Sequence, residues 1–171
     1  MSDKVCMITG AARGIGEAIA RRFHGAGWRL ALCDLNGEAV AKLAASLDPT
    51  GTRVVARKLD VTSEAEVQAA ADAAVAKLGA IDALVNCAGI LKHGPIDQMS
   101  LEAFESVIRV NLTGTFLCCR AVVPVMKKQG RGKIVNMASL GGRTGRPGVG
   151  VNYAASKAGV IALTQTLARE A

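Results

Sequence analysis

The sequence predicts an α/β protein built on a doubly wound parallel sheet. Three observations carry this expectation. Short apolar runs alternate along the chain with segments of helical period, the order that right-handed crossovers turn into a parallel sheet. The apolar runs are nearly unbroken, as strands covered on both faces require. Of 171 residues 50% are hydrophobic but only 3% aromatic. Ala, Val, Ile, Leu and Gly therefore build an interior suited to close packing of helices on a sheet, and the length suffices for one domain with a sizeable core.

The elements follow in order. Val5 to Thr9 is an apolar run met at once by Gly10 and reads as a buried strand. Ile15, Ala18, Ile19, Phe23 and Ala26 recur at helical spacing, and Gly27 ends that helix. Arg29 to Asp34 is the second strand, Gly37 to Leu47 a helix, and Asp48-Pro49-Thr50-Gly51 a loop. Arg53 to Leu59 is the third strand. Ser63 caps an Ala-rich helix running to Leu78, with Glu66 placed to complete a capping box. Ile81 to Asn86 is the fourth strand. Leu101 to Lys128, capped by Ser100, reads as one long helix; Lys133 to Ala138 is the fifth strand and Tyr153 to Glu170 the last helix. The expected strand order is 3-2-1-4-5, with ligands at the carboxyl ends of the strands.

Composition narrows the function. No apolar run looks long enough to span a membrane, and the start lacks the layout of a secretory signal. The five cysteines are Cys6, Cys33, Cys87, Cys118 and Cys119; none form a C-x-x-C pair, so they read as small buried hydrophobes in a reducing compartment, the cytoplasm, with no metal site. The net charge of +7 is scattered and lacks an RNA-binding aromatic signature. It suits attraction for a dinucleotide better than a nucleic acid or a membrane surface.

The informative residues fall at the strand ends. The first strand runs into Gly10-Ala11-Ala12-Arg13-Gly14-Ile15-Gly16, a glycine triplet at a strand-to-helix junction. Glycines there permit a tight turn and close approach of the backbone to a pyrophosphate, which the following helix faces with its free N–H groups. Asp34-Leu35 ends the second strand. A carboxylate at that place accepts from the adenosine ribose and repels a 2′-phosphate, favouring NAD over NADP. Arg13 points the other way, being able to pair with that phosphate, and Asp34 is taken to decide. Asp60-Val61 and Asn86-Cys87-Ala88-Gly89 end the third and fourth strands. Asp60 is placed to bond the adenine, Val61 to cover its face, and Gly89 to let the backbone pass the cofactor; each also reads as plain turn chemistry.

Tyr153, the only tyrosine in the chain, and Lys157 are four apart in a helical segment and share one face. A free tyrosine, with a pKa of about 10, is a poor base at neutral pH, but a nearby ammonium favours the phenolate. The phenol can then give or take an alcohol proton while hydride moves at carbon. Ser139, ending the fifth strand, places a hydroxyl toward the substrate oxygen.

Together, Thr9-Gly10-x-x-x-Gly14-Ile15-Gly16, Asn86-x-Ala88-Gly89, Asn111, Ser139 and Tyr153-x-x-x-Lys157 resemble the short-chain dehydrogenase/reductase family over essentially the whole chain. The resemblance implies a Rossmann fold and an NAD(P)-dependent oxidoreductase. It makes Tyr153 the general acid/base, Lys157 a binder of the nicotinamide ribose, Ser139 the group that polarises the substrate, and Asn111 the holder of a water in a proton relay. Cys87 stands where the family often carries a second asparagine. The implied substrate is a small alcohol or ketone, with a 3-oxoacyl thioester as a narrower version that Arg143 and Arg146 would suit. A non-catalytic dinucleotide-binding regulator is the alternative. His93 reads as loop surface, His24 as helix surface, and Lys127 and Lys128 as a solvated helix end.

Two further expectations concern assembly. The apolar circumference of the long helix, with Phe104, Val107, Ile108, Phe116 and Leu117, predicts a homo-oligomer, a tetramer by resemblance. The apolar fifth strand, with Ile134, Val135 and Met137, forms an edge that is normally covered. We therefore expect residues 1–171 to lack the C-terminal part of a family member, or a partner subunit to lie on that edge.

Overall fold

The computed structural model describes residues 4–145 and 148–170. Five parallel strands, β1 (Val5–Thr9), β2 (Arg29–Asp34), β3 (Val54–Lys58), β4 (Ala83–Asn86) and β5 (Lys133–Asn136), lie in the order β3-β2-β1-β4-β5. This is the expected order. The central β1 is buried along its whole length. Its side chains alternate between two cores, as the period of two demands. Cys6 and Ile8 face one core with α1 (Gly14–Gly25) and α2 (Gly37–Leu47). Val5 and Met7 face the other, with α3 (Glu64–Leu78) and α5 (Gly114–Gln129). The register sets Thr9 beside both Cys33 and Asn86, so β1, β2 and β4 finish at one level. That shared edge carries the glycine turn, Leu35 and Cys87.

The edge strands are shorter than predicted. β3 is buried only at Val54, and Ala56, Arg57 and Lys58 are exposed. β4 starts at Ala83, and Asp82 just before it binds β1 through both backbone and side chain: its N–H donates to the Val5 carbonyl at 2.8 Å, while Oδ2 accepts from Val5 N–H at 2.9 Å and Oδ1 from Arg131 Nε at 2.7 Å. β5 stops at Asn136, where Met137 still donates to the Asn86 carbonyl but turns its own carbonyl to a lysine. β5 pairs with β4 alone, and Val135 is 49% exposed.

The long helix differs from expectation in two ways. It is α4 (Leu101–Ile108), a π-helical turn over Arg109–Thr113, and α5, running on without a break. By length and composition the stretch Leu101–Gln129 is sufficient to cross a membrane, which the count of uninterrupted apolar residues did not register. Its buried side chains, among them Val107, Leu117 and Val122, pack inside the fold, so it is a core helix. Ser100 and Ser63 cap α4 and α3 as read, through bonds from Ala103 N–H and Glu66 N–H. The Glu66 carboxylate reaches back to Asp60 N–H, not to Ser63. Two short turns were not foreseen, a 3₁₀ turn at Ile96–Gln98 and α6 (Gly141–Thr144). The last helix, α7 (Val151–Glu170), begins two residues before the predicted start. Arg146 lies outside the described residues.

Asp82 is 6% exposed and serves two donors at once. Asp82→Ala orphans the buried Val5 N–H and should cost about 1–3 kcal/mol, read as a lower urea midpoint at unchanged slope.

Candidate active site

The glycine turn is shaped by what stands next to it. Gly10 has φ +65°, and a Cβ there would lie 2.7 Å from Ala88 N, so β1 and the end of β4 meet backbone to backbone. Ala88 N–H in turn donates to Thr9 Oγ1 at 3.3 Å. A Cβ on Gly16 would fall on the Gly10 carbonyl oxygen, which closes α1 onto the turn. Gly14, at φ +57°, has no heavy atom within 4 Å of a built Cβ and faces open space. Arg13, the N-cap of α1, makes no side-chain cap bond. The first N–H groups of α1 and its positive dipole end therefore front a cleft of about 900 Å³. A second cleft of about 520 Å³ shares Arg13, Ile15, Cys87, Gly89 and Ile90 with it, so the two form one trough across the sheet edge.

At one end of the trough stand Asp34, Leu35, Asp60 and Val61. Asp34 Oδ2 accepts from Ala12 N–H at 3.0 Å and Oδ1 from Asn36 N–H at 2.9 Å. The carboxylate is thus a strut between the second strand and the glycine turn as well as a group facing the cleft. Leu35 is exposed, while Val61 is buried against Gly114, where a Cβ would come within 2.7 Å of Val61 Cγ2. Asp60 Oδ1 accepts from Thr62 N–H and Oγ1. Asn86, expected at the cofactor, turns its side chain to the other side of β4. Its side chain points into the core, donating to Asn136 Oδ1 at 2.9 Å and approaching Cys119 Sγ, because β4 alternation turns it away from the trough.

At the other end stand Tyr153 and Lys157. Lys157 is buried, donates to the Met137 carbonyl at 2.5 Å, and holds Nζ 5.7 Å from the Tyr153 ring centroid. Burial pushes its pKa down, opposed by the neighbouring Cys87 thiol. Cys87 itself, half-buried in the trough, is pushed up by burial, against the pull of Lys157. Cys6, Cys33 and Cys118 are pushed up to about 12, also by burial, and behave as apolar packing groups.

Asn111 sits in the π-helical turn and is fully buried. Its Oδ1 accepts from Ile90 N–H at 2.8 Å and its Nδ2 donates to the Ile90 carbonyl at 2.9 Å. The amide therefore clamps both backbone polar groups of Ile90 in the trough wall, beside Gly89. Ser139 is not among the lining residues of the smaller cleft. Its Oγ accepts from Gly141 N–H at 3.2 Å in the loop just past Ala138, which does line it. That loop is seated by Gly142, where a Cβ would lie 2.6 Å from the Lys157 carbonyl carbon.

Two residues escaped the sequence reading. Asn152 and Ser156 are both fully buried on α7, on either side of Tyr153. With Val160 they recur every fourth residue, so the signal was a polar pair inside an apolar stripe. Elsewhere His93 and Arg143 are exposed, His24 is partly exposed on α1, and Lys127 donates to the Glu170 carbonyl.

The glycine contacts separate two substitutions. Gly16→Ala forces backbone apart and should cost about 1–3 kcal/mol in chemical denaturation. Gly14→Ala meets only the left-handed φ, about 1–2 kcal/mol.

The short chain dehydrogenase family profile matches residues 4–171. The chain is 45% identical to a D-threitol dehydrogenase of Mycolicibacterium smegmatis, over 99% of this chain and 65% of that protein. It is 44% identical to a 2-dehydro-3-deoxy-L-rhamnonate dehydrogenase (NAD(+)) of a Sphingomonas strain, over 99% and 66%. It is 41% identical to a 3-oxoacyl-[acyl-carrier-protein] reductase of Thermotoga maritima, over 99% and 69%. The chain thus spans about two thirds of the length of these relatives. With motifs, strand order and family match in agreement, the chain belongs to the short-chain dehydrogenase family.

Proposed function

We propose that the protein transfers hydride between NAD(H) and a secondary alcohol or ketone, with Tyr153 as general acid/base. The observation that supports this most is the buried Lys157 ammonium 5.7 Å from the ring of the only tyrosine, in a cleft continuous with the uncapped start of α1. The trough fits a dinucleotide: the open cradle at Gly14 and the free helix terminus suit a pyrophosphate, and Asp34 and Asp60 offer acceptors at the adenosine end. Gly10, Arg13, Ile15, Gly16, Ala88 and Gly89 would line its path, and Lys157 would hold the nicotinamide ribose. The bound cofactor supplies the hydride acceptor or donor. Tyr153 takes the hydroxyl proton as the carbinol C–H bond breaks, and returns it when a ketone is reduced. Ser139 orients the substrate oxygen from the loop docked on α7. Asn111 would hold the relay water; its amide already bonds Ile90 and Ser156, and its carbonyl accepts from Thr115 Oγ1 at 2.8 Å.

NAD is the preferred cofactor in this reading, because Asp34 fronts the ribose end. The substrate class is a small hydroxylated molecule, and the names of the relatives define the panel to screen: D-threitol, sorbitol and a 3-oxoacyl thioester, each with NAD(H) and NADP(H). A regulator without catalysis would have no use for a buried lysine beside a lone tyrosine. Exposed Leu101 and Phe116 on the α4–α5 rod support a homo-oligomer, a tetramer in this reading, and five free thiols a cytoplasmic setting. Light scattering checks the first; a monomer counts against it.

Tyr153→Phe should lower kcat by about 10²–10⁴ and leave NADH affinity within a few-fold, measured by fluorescence titration. Lys157→Ala should impair both. Asp34→Ser should narrow the preference for NAD and, because it removes the acceptor for Ala12 N–H, weaken binding of both dinucleotides. A parent protein with the higher kcat/KM for NADPH would assign the choice to Arg13.

A further inference from the structure

The two peptide groups of Tyr153 are held from opposite sides by buried side chains. Asn152 Oδ1 accepts from Tyr153 N–H at 2.7 Å, and its Nδ2 donates to the Ala103 carbonyl of α4 at 3.3 Å. Ser156 Oγ donates to the Tyr153 carbonyl at 2.7 Å and accepts from Asn111 Nδ2 at 3.1 Å. Both residues are 0% exposed. Each therefore joins one end of the tyrosine's backbone to the α4–π–α5 rod. Asn111 carries the second link onward to both polar groups of Ile90, in the wall of the cleft that Tyr153 lines. There is no slack in the surroundings. A Cβ on Gly150 would lie 2.6 Å from Asn152 Oδ1, and one on Gly159 2.7 Å from Leu112 of the π turn.

We propose that Asn152 and Ser156 are positioning residues for Tyr153: they fix the phenol relative to Lys157 and to the Ile90 wall without touching substrate or cofactor. The Asn152 bond satisfies a first-turn N–H that the helix itself leaves without a partner, whereas a serine inside a helix is ordinarily neutral or unfavourable. Their value lies in tying α7 at the tyrosine to a second element. Removing the Ser156 hydroxyl strands a buried Asn111 N–H, which has to turn, loosening Ile90 as well. The effect therefore falls on the placement of the proton donor and of the wall opposite it, where small misplacements carry large rate penalties.

The inference rests on the acid/base reading of Tyr153, and the test keeps the two apart. In the full chain, Ser156→Ala and Asn152→Ala are compared with the parent by two readouts. One is the ring NMR signal of the sole tyrosine in the cofactor-free protein. The other is kcat per NADH-binding site, for the best alcohol of the panel above. Ser156→Thr, which keeps the hydroxyl, serves as rescue. The expected result is a displaced or broadened ring signal, a fall in kcat of threefold or more with NADH affinity within threefold, and at least partial recovery in Ser156→Thr. A parent-like ring signal, or kcat reduced by less than threefold, in whichever variant folds overturns the proposal. Should both fail to fold, Asn152→Asp, which loses the bond to the Ala103 carbonyl, is read by the same two limits. Tyr153→Phe, run alongside, bears only on the underlying reading: full turnover there rejects the acid/base role whatever the Ser156 variants do.

Discussion

The arrangement at the sheet edge depends on one constraint, the contact of backbone with backbone where β1 and β4 end. Gly10 leaves β1 with no room for a side chain between it and Ala88, and Gly16 closes α1 over the Gly10 carbonyl. Move either and the start of α1 no longer faces the trough. The same contact fixes the level of Cys87 and Gly89, and with them the wall shared by the two clefts. A parallel sheet makes this possible because its strands finish together on one side, where peptide dipoles and loops collect.

A second constraint lies in the π-helical turn. One extra residue in the turn puts the Asn111 amide against the Ile90 peptide and within reach of Ser156, at a depth where any unpaired polar atom is costly. The long helix thereby acts as a frame on which the cleft wall and α7 are both hung. Its apolar character comes from this central position. The buried positions Leu117, Cys118, Val122 and Met126 meet the sheet core, while α4 and the π turn pack on α7.

How much of this was legible in the residues varied with the range of the interaction. The strands, the glycine turn and the shared face of Tyr153 and Lys157 follow from local period and spacing, while the strand order came with the doubly wound fold class and the roles of the pair with the family resemblance. The core-facing side chain of Asn86 was not legible, because a motif gives a residue's position but not the side of the strand it faces. The π turn was hidden since Arg109–Thr113 keeps helical propensity and differs from a plain helix only through what its side chains meet. Asn152 and Ser156 were missed for a related reason. Polar side chains in a helix pass as solvent-facing until a neighbouring element covers them, and α4 does so only in the folded chain.

The Asp34 strut has a consequence for how such a protein changes over generations. A carboxylate that only repelled a second phosphate could be exchanged for a small neutral residue in one step, and the cofactor preference would drift freely. Here one carboxylate oxygen also accepts from Ala12 N–H, and the other from Asn36 N–H. Losing it unties the phosphate turn before any new affinity is gained. If Asp34 selects the cofactor as proposed, a lineage shifting toward the phosphorylated dinucleotide would pass through a weakened ancestor unless another acceptor for Ala12 N–H arose first. The order in which substitutions can accumulate along this edge is set by a hydrogen bond that the cofactor never sees.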